Sequence, residues 1–262
     1  MKKQIFILFT VLFVPVIISW TISQDKWIIE KQNGYFLYYT TSDKQNIIEY
    51  KTYFEDGKKA IENFFQNSFK HDFNIYIHTS RASLDRAWQK DWNMPDFKSQ
   101  CWMVASGISD KFDIISPKMW DNLACEHIYS DTTKTQNLIT HELIHVFHGQ
   151  QNKSPDFNDI TGIDWFVEGL ATYASGQCDS IRILDVKKAL LDNKIPESLN
   201  KFWTGNLRYG LSGTVVMYLD NKYGREKLTS LLEYNTLSEV LNSLETNEFE
   251  IIDGWKRYIK EL

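Results

Sequence analysis

The segment Asn137 to Gln150, NLITHELIHVFHGQ, leaves little freedom in how it can fold. At about 100° per residue, Ile139, Leu143, Val146 and Phe147 gather on one side of a helix. His141, His145 and Glu142 gather on the other. The spacing predicts a helix that buries its apolar stripe and turns its histidines toward a cleft. Residues four apart stand one above the other on a helix, so His141 and His145 can meet one cation. Glu142, one step round, can reach water activated by that cation without binding the cation itself. The same residues also suit an ordinary solvated helix face, because H-E-x-x-H is short enough to arise by chance.

A catalytic zinc ion takes three protein ligands and keeps a position open. His148 is nearest in sequence, but it lies about 60° round from His145 on the same rigid helix and cannot close a tetrahedron with both partners. It is expected at the surface or behind the ligands. The metzincin pattern H-E-x-x-H-x-x-G-x-x-H fails here, because His148 fills the glycine slot and Gln151 the last histidine slot. A better third ligand is Glu168, in the helical stretch DWFVEGLATYAS from Asp164. A carboxylate between Val167 and Leu170 needs something to satisfy it. The intervening NKSPDFNDITG is loop-like and lets a second helix return beside the first.

HELIHVFHG followed by WFVEGLATY resembles the gluzincin metallopeptidases, whose signature is H-E-x-x-H with a glutamate ligand on the next helix, often within W-x-x-E-G-x-A. The match is close over His141 to Ser175. The resemblance implies one Zn2+ per chain held by His141, His145 and Glu168, with Glu142 as general base, in a zincin-like fold acting on peptide or protein substrates. Members often carry an aspartate one turn after the glutamate ligand, orienting a zinc histidine. This chain has Thr172 there, so that support is altered or supplied elsewhere. The stretch from Leu207, LRYGLSGTVVMYL, also resembles the tail of small exported or membrane-anchored members, where a tyrosine precedes a helix.

Attack on an amide builds an oxyanion that needs a second donor. No histidine follows His148, so the donor is expected to be a tyrosine or arginine. Tyr209, with Arg208 beside it just before a helix from Gly213, is the first candidate, and Tyr173 the second. A packed aromatic is the plain alternative for Tyr209. Substrate is expected as an added strand on a sheet edge. The resemblance places that edge within CWMVASGISDKFDIIS, and Trp102 to Ala105 are its candidate residues, although Trp and Met serve equally well in a core. The Gly-x-Met-Glu-Asn motif of the aminopeptidase branch is absent, which favours cutting within a chain.

The rest of the chain predicts an α+β protein, with a strand-containing part over 24–130 and a helical part over 131–262 flanking the zinc cleft. Strands are expected at 34–40, 73–80, 101–106 and 112–117. Helices are expected at 46–65, 83–92, 137–150, 165–175, 213–222, 225–233, 237–244 and 249–260. Residues 1–23 carry two lysines and then an apolar run from Ile5 to Ile18, the layout of an export signal, with an uncleaved membrane anchor as the rival. Location is therefore expected to be extracytoplasmic, secreted or anchored, with membrane contact only through that segment. Loss of Lys2 and Lys3 takes the net charge from −5 to −7, which offers nucleic acid no footprint. Cys101, Cys125 and Cys178 allow one disulfide and leave one thiol. The alternative function is a catalytically silent peptidase fold that binds metal or a protein partner outside the cell.

Overall fold

Strand alternation organises the first half. The computed structural model describes residues 26–262, and the expected leader lies outside them. β1 (Ile28–Gln32) and β2 (Tyr35–Tyr39) form an antiparallel hairpin. In β2 the buried Tyr35, Leu37 and Tyr39 alternate with half-buried Phe36 and Tyr38, as in a strand with one face on a core. α1 (Ile47–Phe65) crosses to β3 (Phe73–His78), which runs parallel to β2. α2 (Arg81–Asp91) follows, its first turn capped by the Ser80 hydroxyl accepting from the Ser83 N–H. β4 (Ala105–Ile108) and β5 (Lys111–Ile115) make a second antiparallel hairpin, and β5 pairs parallel with β3. The order β1-β2-β3-β5-β4 leaves β4 at an edge.

One face of the sheet meets α1 through an aromatic cluster, with Phe54 edge-on to both Tyr35 and Phe112. The other face carries Tyr38 stacked on Tyr76 and faces α2, where buried His78 bridges Asp113 at 2.8 Å and Ser83 at 2.9 Å. The second half is helical: α3 (Trp120–Leu123), α4 (Thr132–Gln151), α5 (Asp164–Ala174), α6 (Ser180–Leu191), α7 (Arg208–Tyr223), α8 (Arg225–Ser230), α9 (Leu237–Ser243) and α10 (Glu248–Glu261). The protein is thus α+β, with the strands in the first half and helices dominating the second. Among the described residues no helix is long and apolar enough to cross a membrane.

α4 packs against α1, β4 and α5. It starts at Thr132, capped by Asp131, and from Leu138 to Gln150 every residue but Glu142 is buried. Its histidine side therefore faces a protein wall rather than open solvent. α5 in turn crosses α7 with the two backbones in contact. A Cβ added at Gly169 would stand 2.4 Å from the Ser212 carbonyl oxygen, a distance only glycine can tolerate.

Several expected boundaries move. Residues 101–104 turn before β4 begins at Ala105, because Cys101 is bonded to Cys125 and held off the sheet. α7 starts at Arg208 rather than Gly213, since Gly210 and Gly213 are contact points with α6 and α5 and do not break the helix. β1, α3 and α6 were not expected. His148 is wholly buried against Phe157 and Phe166, so the surface placement is wrong: the loop after α4 folds back over it.

Gly169→Ala is expected to force α5 and α7 apart and cost about 2–3 kcal/mol, a fall in melting temperature of roughly 5–10 °C by calorimetry. An unchanged melting temperature would show that the crossing is looser than described.

Candidate metal centre

The site is built from two helices and completed by a strand. On α4, His141 and His145 stand one turn apart with their Nε2 atoms 3.1 Å from each other. Across the α4–α5 contact, Glu168 Oε2 lies 3.5 Å from the first and 3.7 Å from the second. Among the described residues these three form the one group of metal-ligating side chains close enough to share an ion. Donors each about 2.1 Å from one tetrahedral cation stand roughly 3.4 Å apart. The observed spacings bracket that value, and two imidazole nitrogens with one carboxylate oxygen are a donor set that zinc favours. The residues therefore fit a divalent cation.

Electrostatics agree with a charged, tightly coupled cluster. Burial pushes the Glu168 carboxyl up, but His145 and His141 beside it outweigh burial and hold it well below the usual carboxylate range. Burial lowers His145, and Glu168 more than reverses that. Glu142, half-buried on α4 beside the triad, is pushed up chiefly by burial, against the pull of His141 and His145. The nearby Gly107 backbone pulls weakly the other way, favouring the charged form.

Gly107 is where β4 touches α4. A Cβ there would come within 2.2 Å of the Glu142 carbonyl oxygen, so the strand can lie this close only with glycine. Val104 C=O accepts from Ile115 N–H at 2.8 Å. Strand alternation then turns the backbone groups of Ala105 and Gly107 away from β5 and toward the cleft. The cleft is a trough of about 490 Å³ that joins the two halves, with Trp102, Met103, Ala105, Ser106 and Gly107 on one wall and α4, α5 and α7 on the other.

The structure brings Tyr209, Arg208 and Trp102 to this cleft with the triad and Glu142. Tyr209 lies in the first turn of α7, its ring centre 6.4 Å from that of His141. Burial raises its hydroxyl, and Glu168 adds to the rise, so it stays protonated and able to donate. Tyr173 is not brought in. Its hydroxyl donates to Asp220 at 2.8 Å and its ring packs on Phe64, on the far side of α5. Thr172 does not reach the histidines either, because its hydroxyl donates to the Glu168 backbone carbonyl at 2.8 Å. His141 Nδ1 is buried without a protein partner among the described residues. His148 is likewise no ligand: burial drives it down to about 3, so it is neutral, and its ring packs among phenylalanines.

Sequence reasoning missed Arg81. Its guanidinium donates to Ser99 Oγ and to the carbonyls of Gln100, Cys101, Met103 and Leu123, holding the loop that carries Trp102. The Cys101–Cys125 disulfide pins the same loop, and Cys178 is the free thiol. Nothing in the spacing of Arg81 signals this role. Phe157 and Trp203 also line the cleft from loops that carry no pattern.

No family model and no curated protein matches the chain. The reading of the site therefore rests on its own residues.

Titration of metal-stripped protein with Zn2+ is expected to give about one bound ion per chain, with Glu168→Ala weakening binding by roughly a hundredfold or more. Equal affinity in the variant would remove Glu168 from the centre.

Proposed function

We propose that the protein is an exported or membrane-anchored zinc-dependent peptidase of gluzincin type that cuts within peptide chains. The observation that carries this reading is the convergence of His141, His145 and Glu168 beside Glu142, in a cleft whose wall is a sheet edge. Zinc held there supplies the Lewis acidity that amide hydrolysis requires. The chain's own residues supply the rest.

Substrate lies against the β4 edge, where the outward-turned backbone of Ala105 can pair with an extended peptide. That fixes the scissile carbonyl between the triad and α7. Glu142, one step round the helix from the ligands, takes a proton from the attacking water and returns it to the leaving amine. Its raised affinity for protons favours the first of these transfers. Tyr209 donates its hydroxyl to the oxygen on which negative charge develops. The Cys101–Cys125 disulfide supports an extracytoplasmic location, since such bonds rarely persist in reducing compartments. The apolar residues 5–18 behind two lysines support export by the same route.

A second reading has one observation in its favour. His141 Nδ1 has no orienting acceptor and Thr172 cannot supply one. This suits a domain that binds metal without turning over substrate. Incubation with a diverse peptide library, with and without a chelator, separates the two. Chelator-sensitive cleavage supports the peptidase; retained zinc with no cleavage supports the silent fold.

Glu142→Gln is expected to keep its zinc by elemental analysis while kcat falls by about 10²–10⁴. Wild-type turnover by that variant would take Glu142 out of the mechanism. Tyr209→Phe is expected to lower kcat by about 10² with KM little changed, and a change confined to KM would reassign Tyr209 to binding.

A further inference from the structure

Arg208 opens α7 at the point where the metal cleft meets a second lobe of about 290 Å³, and it lines both. Its guanidinium centre lies 5.2 Å from the ring of Trp102, 5.3 Å from Trp203 and 5.2 Å from Tyr209. These rings come from the loop before β4, the segment before α7 and α7 itself. An aromatic face attracts a guanidinium but leaves its charge in place. Elsewhere Arg225 is paired with Asp220 and Arg257 with Asp253, and Arg81 is spent on carbonyls. Among the described residues no carboxylate stands within 4.0 Å of the Arg208 guanidinium.

We propose that Arg208, held in a collar of Trp102, Trp203 and Tyr209, is the cleft's carboxylate-binding residue, so that the site selects peptides carrying an anionic carboxylate next to the bond at the metal centre. This rests on the peptidase reading, although the binding itself does not require turnover. Three rings restrict where the planar fork can point, so less freedom is lost when it binds. Its N–H groups match the two oxygens of a carboxylate. The chain as a whole is acidic, with a net charge of −5, so overall attraction does not draw an anion here. Arg208, the one Arg or Lys among the described residues lining the metal cleft, selects one by contact. The carboxylate comes either from an acidic side chain or from a peptide C-terminus, and the two share this chemistry.

The test uses the full chain carrying Glu142→Gln and loaded with zinc, so that peptides bind without being consumed. The probes are alanine-based heptapeptides with a single Glu or Gln at each position in turn, each made with a free or an amidated C-terminus. Calorimetric titration is expected to show one acidic form binding roughly ten- to hundredfold tighter than its neutral twin, with the advantage shrinking as salt rises. A Glu-against-Gln difference identifies the side chain as the source, and an acid-against-amide difference the terminus. Adding Arg208→Gln should bring the twins within about twofold, while Arg208→Lys, which keeps the charge and loses the fork, should retain part of the difference. Twins that bind equally to the protein bearing Arg208 overturn the proposal. So does an Arg208→Gln protein that weakens acidic and neutral peptides alike. Should Arg208→Gln fail to fold by thermal melting, the Lys variant and the salt dependence decide. The peptidase reading is tested apart, by chelator-sensitive cleavage of the same peptides by the chain bearing Glu142.

Discussion

The site depends on one close approach, that of Glu168 on α5 to two imidazoles on α4. Without a cation, a carboxylate and two imidazoles are an expensive group to bury. The helices must be held together by something other than the site. Ile139, Leu143, Val146 and Phe147 bind α4 to α1 and the sheet, and Trp165, Phe166 and Leu170 carry α5 into the same core. α7 then backs α5 through the Gly169–Ser212 contact. The donor atoms are thus placed by apolar packing and backbone proximity, which operate whether or not metal is bound.

The facing wall obeys a different logic. The loop before β4 has little core of its own, with Cys101 exposed and Trp102 and Met103 only half-buried. Its position is fixed by the five acceptors gathered on Arg81 and by the Cys101–Cys125 bond, which closes a loop of 24 residues and contributes about 3–4 kcal/mol in the chain-entropy view. Polar clamping thereby replaces burial where the surface must stay open to a ligand. The two walls meet where Trp102 covers Arg208, so the disulfide-bonded loop and α7 together set the width of the cleft.

What the sequence made legible follows from which signals are periodic. β2, β3 and β5 are rich in aromatic and β-branched residues and were readable, and so was the grouping of His141, His145 and Glu168, because four-residue spacing and a carboxylate among apolar neighbours carry chemical meaning. β1 was not, since Glu30, Lys31 and Gln32 interrupt its apolar pattern at a sheet edge. α6 buries only Val186 and Ala189 while leaving Ile181, Leu184 and Leu191 exposed, so it shows no consistent stripe. Tyr173 misled because it shares a helix with Glu168. Five residues on, it lies about 140° round and cannot face the same cleft. Trp102 and Met103 imitate a strand in composition but serve as a wall.

The orientation of His141 shows how far packing can stand in for hydrogen bonding. For Nε2 to offer its lone pair to a cation, the neutral ring must carry its proton on Nδ1. That Nδ1 is buried without a protein acceptor, a deficit of about 1–3 kcal/mol. Thr172 occupies the position from which a longer acidic side chain could help, but its hydroxyl is bound to its own helix and too short to cross. The ring is held instead between the edge of His145 at 4.9 Å and the ring of Tyr209 at 6.4 Å. Two consequences follow from the same contact. Any affinity of the cluster for a cation is lowered by that deficit. Tyr209 also packs on His141, so a change in that phenol acts on the His141, His145 and Glu168 cluster as well.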